Sequence, residues 1–274
     1  MKLCLDSLTV TDTEPVDLIR GARSAGFDLV SLWVQPPSLF PKQLVTEAKA
    51  KACLAALAET GMRVGPLEVF VLSSADAIRS YRPAMELGAR LGARTASAIN
   101  LTTTDAGLLS ELFVQFAALA GECGLGVTLE PLAGFATSTP AQAREIIRAS
   151  GVDARIVLDA HHLVRTGVSV ADVRALDPAL IGYVQVCDGL ASLPPEERAA
   201  ESVCARLYPG EGVWPLVEYF RDAPMDIDWG IEAPSVRRAA AGQSAETQAR
   251  EAMASVRRLI EQIAAARATR GGPV

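Results

Sequence analysis

The sequence predicts a single-domain α/β protein built as a (β/α)8 TIM barrel, and three observations carry that prediction. Short apolar, β-rich runs recur eight times along the chain. Alanine-rich segments with helical periodicity lie between them. The chain has 274 residues, close to the roughly 250 that one such barrel needs.

Taken in order, the strand runs fall at residues 3–8, 28–34, 64–72, 95–100, 126–131, 155–160, 181–188 and 228–234. They are nearly continuous in apolar residues, as Ile156, Val157 and Leu158 show, which suits parallel strands covered on both faces. The intervening helices show apolar stripes at spacings of three and four: Leu109, Leu112, Phe113, Phe116 and Leu119 in one, Met253, Val256, Ile260 and Ile263 in another. Their ends are marked. Thr104 or Asp105 opens one helix, Pro140 sits in the first turn of another, and Gly61, Gly92 and Gly124 follow helix ends. An open doubly wound sheet is the competing architecture, but no glycine-rich dinucleotide fingerprint follows the first strand. The domain is expected to span residues 1–269 without an internal boundary, with 270–274 as a disordered tail. One long irregular segment, residues 189–212, follows the seventh strand, and a loop of that length is expected to carry function.

Composition removes several functions. With 26 basic against 32 acidic residues, a net charge of −6 and no basic block, the chain lacks the clustered Lys and Arg that phosphate contacts require, so no nucleic-acid partner is expected. No stretch approaches 18 uninterrupted apolar residues, so no membrane span is expected. Five widely spaced cysteines without a C-x-x-C pair read as free thiols in a reducing compartment. With no signal-peptide pattern at the N-terminus, the expected location is cytoplasmic. Both histidines are adjacent, His161 and His162, and all four lysines lie before residue 52. A site of scattered imidazoles and a C-terminal lysine base are thereby excluded.

Catalytic groups of such barrels sit at the C-terminal ends of the strands, so polar residues that close apolar runs are the informative ones. Four successive strands end that way: the fifth on Glu130, the sixth on Asp159, the seventh carrying Gln185, and the eighth on Glu232. With neighbouring strands about 4.8 Å apart, these side chains can converge above the barrel. A single such acid reads equally well as a helix cap or a solvated loop residue. Three carboxylates gathered in a partly dry mouth resist ionising together unless a cation neutralises them. Glu130, Asp159, Gln185 and Glu232 therefore read as ligands of one divalent metal ion. The oxygen donor set favours Mg²⁺ or Mn²⁺, although Co²⁺ or Zn²⁺ can occupy it.

The segments Leu129-Glu130-Pro131, Leu158-Asp159-Ala160-His161-His162, Tyr183 to Asp188, Arg206 to Gly212 and Ile231-Glu232 together resemble the xylose isomerase-like barrel superfamily, within it the sugar phosphate isomerase/epimerase group. That group includes hydroxypyruvate isomerases, ketose 3-epimerases, inosose dehydratases and 3-dehydroshikimate dehydratases. The resemblance implies the same four metal ligands, and His162 facing the substrate. It also implies proton abstraction next to a metal-polarised carbonyl. Many epimerases of the group have His where this chain has Gln185, and ketose 3-epimerases have a further Glu soon after the first ligand. Residues 131–139 contain none, which points away from ketose 3-epimerisation.

The expected function is a divalent-metal-dependent isomerase or epimerase of a small polyhydroxylated carbonyl compound of sugar or sugar phosphate type. The alternative is a lyase of the dehydroshikimate or inosose dehydratase kind on the same scaffold. Glu130, His162 and Glu232 are the expected catalytic residues, with Glu232 as base and His162, through a near-neutral pKa, as proton shuttle or hydroxyl donor. His161, pointing the other way, is expected to be structural. Arg206 is placed to hold a substrate oxygen or anion, its alternative being a surface arginine in a mobile loop. Glu68, Asn100 and Trp33, near the ends of the third, fourth and second strands, complete the expected substrate pocket. The partner is thus a small-molecule substrate; homo-oligomerisation stays open. An endonuclease of the multinuclear zinc type is excluded by the two histidines and the acidic balance.

Overall fold

The computed structural model describes residues 1–36 and 40–269; the expected tail at 270–274 lies outside the described residues. Eight parallel strands close into one barrel in chain order: β1 (Leu3–Leu5), β2 (Leu29–Leu32), β3 (Arg63–Val71), β4 (Thr95–Ile99), β5 (Gly126–Glu130), β6 (Ala154–Asp159), β7 (Ile181–Val186) and β8 (Asp228–Ile231). Each coincides with one of the eight runs. Closure is made by β1 on β8, with Leu3, Cys4 and Leu5 opposite Trp229, Gly230 and Ile231.

The helices are α1 (Pro15–Ala25), α2 (Glu47–Thr60), α3 (Ala75–Ser80), α4 (Arg82–Arg90), α5 (Ala106–Glu122), α6 (Pro140–Ser150), α7 (Ala160–Thr166), α8 (Val170–Arg174), α9 (Pro195–Cys204), α10 (Leu216–Phe220), α11 (Val236–Ala240) and α12 (Ala245–Ala268). Their apolar stripes form the main core against the outside of the barrel. On α5, Leu109, Leu112, Phe113, Phe116 and Leu119 are all buried, with Phe116 5.6 Å from Phe70 of β3. Caps are where the sequence puts them. Asp105 accepts from the Leu108 N–H, and Thr139 with Gln142 forms a capping box ahead of Pro140.

The segment 189–212 corrects one expectation, since it contains a helix, α9, rather than irregular chain throughout. Asp188 anchors both ends of the surrounding loop, accepting from the N–H groups of Gly189, Gly210 and Trp214. Two antiparallel bridges, Asp188 to Leu207 and Ala205 to Ser235, fix the strand-like stretch between them, which carries Arg206.

Inside the barrel, Cys4, Leu29, Val157 and Tyr183 form a small apolar plug. Above it the lumen turns polar. All five cysteines are free, and among the described residues no helix is long and apolar enough to cross a membrane.

Candidate active site and metal centre

Every strand delivers a buried polar or aromatic side chain toward its C-terminal end: Asp6, Trp33, Asn100, Glu130, Asp159 and Glu232 at the end or just past it, Gln185 one residue and Glu68 three residues inside. The burial has a local cause. Each follows apolar residues whose alternate side chains fill the barrel wall, so the chain enters the mouth with its backbone already paired.

Asp159 serves two purposes. One oxygen caps α7 by accepting from the His161 N–H at 2.6 Å, and the other accepts from Arg206 Nη1 at 2.8 Å. The helix-cap reading of a strand-end acid is therefore true of Oδ1, while Oδ2 belongs to the site. The same Nη1 lies 3.0 Å from Glu232 Oε2 and donates to the Glu232 carbonyl at 3.1 Å. Arg206 is 2% exposed, so it is a buried clamp and not a surface arginine. A cleft of about 980 Å³ between α9 and α11 has Arg206 in its wall.

His162 Nδ1 accepts from the Ala133 N–H at 3.1 Å, which places the proton of the neutral ring on Nε2. That nitrogen faces Glu130 Oε1 at 3.6 Å and Asp159 Oδ2 at 3.8 Å. Burial pushes His162 down to about 4, with Arg206 adding to the effect against Asp159. The near-neutral titration expected of it is thus lost to desolvation, and the ring is a neutral donor. His161 is also held neutral by burial; it packs edge-on to His162 at 4.9 Å and 3.7 Å from Glu201, which Arg165 holds in a bidentate pair. His161 thus turns toward Glu201, away from the carboxylates that His162 faces.

Burial raises the pKa of most carboxylates here. Glu232 is pushed up to about 8, Arg206 opposing, and Glu130 goes well above its usual range through burial and the charges of Glu232 and Asp159. Asp159 alone stays low: burial works against it, but the Arg206 and His162 contacts outweigh that cost.

The other expected residues separate. Asn100 is committed to its own loop, donating to the Thr103 carbonyl and Thr137 Oγ1 and accepting from the Thr103 N–H. Trp33 Nε1 is buried without a partner among the described residues. Glu68 Oε1 accepts from Gln185 Nε2 at 2.8 Å, and its Oε2 is buried without a partner. Two members of the polar layer were not anticipated, Asp6 and Tyr183. The Tyr183 hydroxyl donates to Asp6 Oδ1 at 2.7 Å, and Asp6 Oδ2 accepts from Gln185 Nε2 at 3.3 Å. Asp6 closes the apolar run Leu3-Cys4-Leu5 just as Glu130 closes its own, so the strand-end rule applied to the first strand finds it.

The donors fit a divalent ion. Ligand atoms of Glu130, Asp159 and His162 lie within 4.8 Å of one another, and the Gln185 amide oxygen beside them in register with Asp159 is buried without a partner. Glu130, Asp159, Gln185 and Glu232 would hold the ion through oxygen, while His162 Nε2, which carries the ring proton, faces them as a hydrogen-bond donor and not as a ligand.

A closed barrel whose mouth gathers buried acids around one histidine and one arginine defines a class of barrels built around an acidic, cation-ready centre. The sequence matches the family of xylose isomerase-like TIM barrels over residues 19–267, and the chain belongs to that family. No curated protein matches the sequence. Among solved structures it is similar to the IolI protein with a bound zinc atom, at 16% identity and a TM-score of 0.80, covering 96% of this chain and 99% of that one. It is also similar to a xylose isomerase domain protein from Alicyclobacillus acidocaldarius, at 21% identity and a TM-score of 0.75, covering 96% and 99%. A third likeness is to L-ribulose 3-epimerase, at 17% identity and a TM-score of 0.73, covering 99% and 98%. At these identities the likeness is one of fold.

Proposed function

We propose that the protein is a divalent-metal-dependent isomerase or epimerase of a small polyhydroxylated carbonyl compound, of sugar or sugar phosphate type. The observation that carries this reading is the buried cluster of Glu130, Asp159 and neutral His162, whose polar atoms lie within 4.8 Å of one another, with Arg206 bridging Asp159 to Glu232. Family membership and the epimerase and zinc-bound neighbours support it.

A divalent ion in this cage, Mg²⁺ or Mn²⁺ by the preference of oxygen donors, would supply the Lewis acidity that makes the carbon next to the carbonyl acidic. Glu232, as its ionised carboxylate, takes that proton as base and returns it to the neighbouring carbon or the opposite face. His162 donates its Nε2–H to the substrate oxygen, and the Ala133 N–H at Nδ1 keeps the ring in that tautomer. Arg206 orients a substrate oxygen from beside the two carboxylates it clamps. Trp33 Nε1 and Glu68 Oε2, both without partners among the described residues, offer a donor and an acceptor to substrate hydroxyls.

Gln185 in place of histidine, and the lack of a Glu in residues 131–139, point away from ketose 3-epimerisation and fit a second reading, dehydration, as well as isomerisation. In dehydration Glu232, protonated by the α-proton it has taken, would pass that proton to the departing β-hydroxyl so that water leaves, with His162 hydrogen-bonded to the same oxygen. The two separate in D₂O. The Mn²⁺-loaded protein, given a panel of ketoses, aldoses, inososes and dehydroshikimate, is expected to yield an isomer or epimer carrying solvent deuterium at unchanged skeleton. A product lighter by one water, with new enone or aromatic absorbance, would overturn the isomerase reading in favour of the lyase.

A further inference from the structure

We propose that Glu68 and Asp6 are positioning residues for Gln185, locking its amide so that its oxygen is the only free atom it can offer a cation. The inference rests on the divalent-metal reading above and adds a layer beneath it.

A glutamine amide has two N–H donors and one carbonyl oxygen, and from shape alone the two ends are interchangeable. Here they are not. Both donors of Gln185 are engaged, one at 2.8 Å by Glu68 Oε1 and one at 3.3 Å by Asp6 Oδ2. Rotating the amide by half a turn would set its oxygen against the two carboxyl oxygens that now accept from it and forfeit both hydrogen bonds. Gln185 Oε1, buried and unpartnered, is therefore fixed as an acceptor, on the strand position directly across from Asp159.

The clamp is itself held. The Tyr183 hydroxyl grips the other oxygen of Asp6 at 2.7 Å, and Gly230 leaves the room for it: a Cβ at that position would lie 2.2 Å from both Asp6 Oδ2 and Tyr183 Oη. Glu68 makes no side-chain hydrogen bond other than the one it receives from Gln185, and Arg206 is occupied by Asp159 and Glu232. Two buried carboxylates without a guanidinium are costly to the fold. Orienting a neutral ligand is a use that accounts for both. It also accounts for a neutral amide at a cation site: left unoriented, Gln185 could turn its NH₂ toward the ion.

The test is Mn²⁺ titration of the metal-stripped full-length protein, followed by electron paramagnetic resonance and calorimetry. Glu68→Gln keeps size and removes the charge that dictates orientation; it is expected to weaken Mn²⁺ binding about tenfold or more, the range for residues behind a metal ligand. The double variant Glu68→Gln/Gln185→Glu is expected to recover to within about threefold of the wild type, because a carboxylate presents oxygen in either orientation and the amide introduced at position 68 can donate to it. Asp6→Asn probes the longer bond and is expected to lose less. Wild-type protein that binds no Mn²⁺ would remove the metal reading itself. Wild-type binding with unchanged affinity in Glu68→Gln, and a rise only in substrate KM, would overturn the positioning role and leave Glu68 as a substrate contact. Should Glu68→Gln fail to fold by circular dichroism, Asp6→Asn and Tyr183→Phe carry the same test, and unchanged Mn²⁺ affinity in both would overturn the proposal.

Discussion

Arg206 governs the charge balance of the barrel mouth. Among the described residues it is the one guanidinium that touches Asp159 and Glu232, and it is 2% exposed. Removing one member of a buried pair leaves the others desolvated and uncompensated, at a cost of about 3–5 kcal/mol. Arg206→Ala is therefore expected to lower the stability of the metal-free protein by that order in urea, and saturating Mn²⁺ is expected to recover part of the loss by neutralising the same carboxylates. Arg206→Lys keeps the charge but not the planar fork, so its stability should fall between the two. A loss that Mn²⁺ does not touch would show that guanidinium and cation do not share these ligands.

The stretch that delivers Arg206 depends on Asp188, which gathers the N–H groups of Gly189, Gly210 and Trp214 at 2.8, 2.9 and 3.0 Å. Gly212 is required by the same packing, since a Cβ there would lie 2.3 Å from Asp188 Oδ1. Asp188→Ala orphans three backbone donors, of which those of buried Gly189 and Trp214 are each worth about 1–3 kcal/mol when left unmet, while exposed Gly210 can turn to water. Water can reach some of them, so the expected outcome is a stability loss of a few kcal/mol together with faster proteolysis within residues 189–212. An intact segment in limited proteolysis would place the anchor elsewhere. This run was legible as a long segment, yet its helix α9 was not: Pro194 and Pro195 read as loop, and the helix is largely exposed, with Glu201 its one buried side chain among the described residues, so it carries no apolar stripe to betray it.

Across the folded chain, the buried acids make stability depend on pH and on the cation together. Asp6 is raised to about 7 and Glu232 to about 8, both by burial first, with Glu68 and Glu130 raised in the same direction. A folded state that holds these protons more tightly than the unfolded chain binds more of them, so stability falls as pH rises from about 4.5 through about 8. His162 works in the opposite sense at lower pH: folded at about 4 against 6.5 unfolded, it withdraws stability as pH drops through that window. The melting temperature of the metal-free protein is thus expected to decline between about pH 6 and 8.5, and Mn²⁺ to raise it more at the upper end, because the ion binds the ionised carboxylates. Differential scanning fluorimetry at both pH values, with and without Mn²⁺, reads this directly; an equal shift at both would show that the ion binds away from these acids.

What could be read from the sequence was local. The order of eight strands, the buried stripe on α5, the caps at Asp105 and Pro140, and the acids Glu130, Asp159 and Glu232 all follow from periodicity and from polar residues that end apolar runs, features decided within a few neighbours along the chain. Tertiary structure alone decided which of these polar groups touch. Tyr183 meets Asp6 across 177 positions, Gln185 meets Glu68 across 117, and Arg206 reaches Asp159 across 47. Barrel closure, which sets β1 beside β8, creates those pairings, and no pattern along the chain encodes them. Asp6 was legible in principle but lay inside the run read as 3–8, whereas the strand ends at Leu5; only its partners depend on barrel closure. The same closure removes water from the mouth, and that desolvation turned His162 from a group expected to titrate near neutrality into a fixed neutral donor.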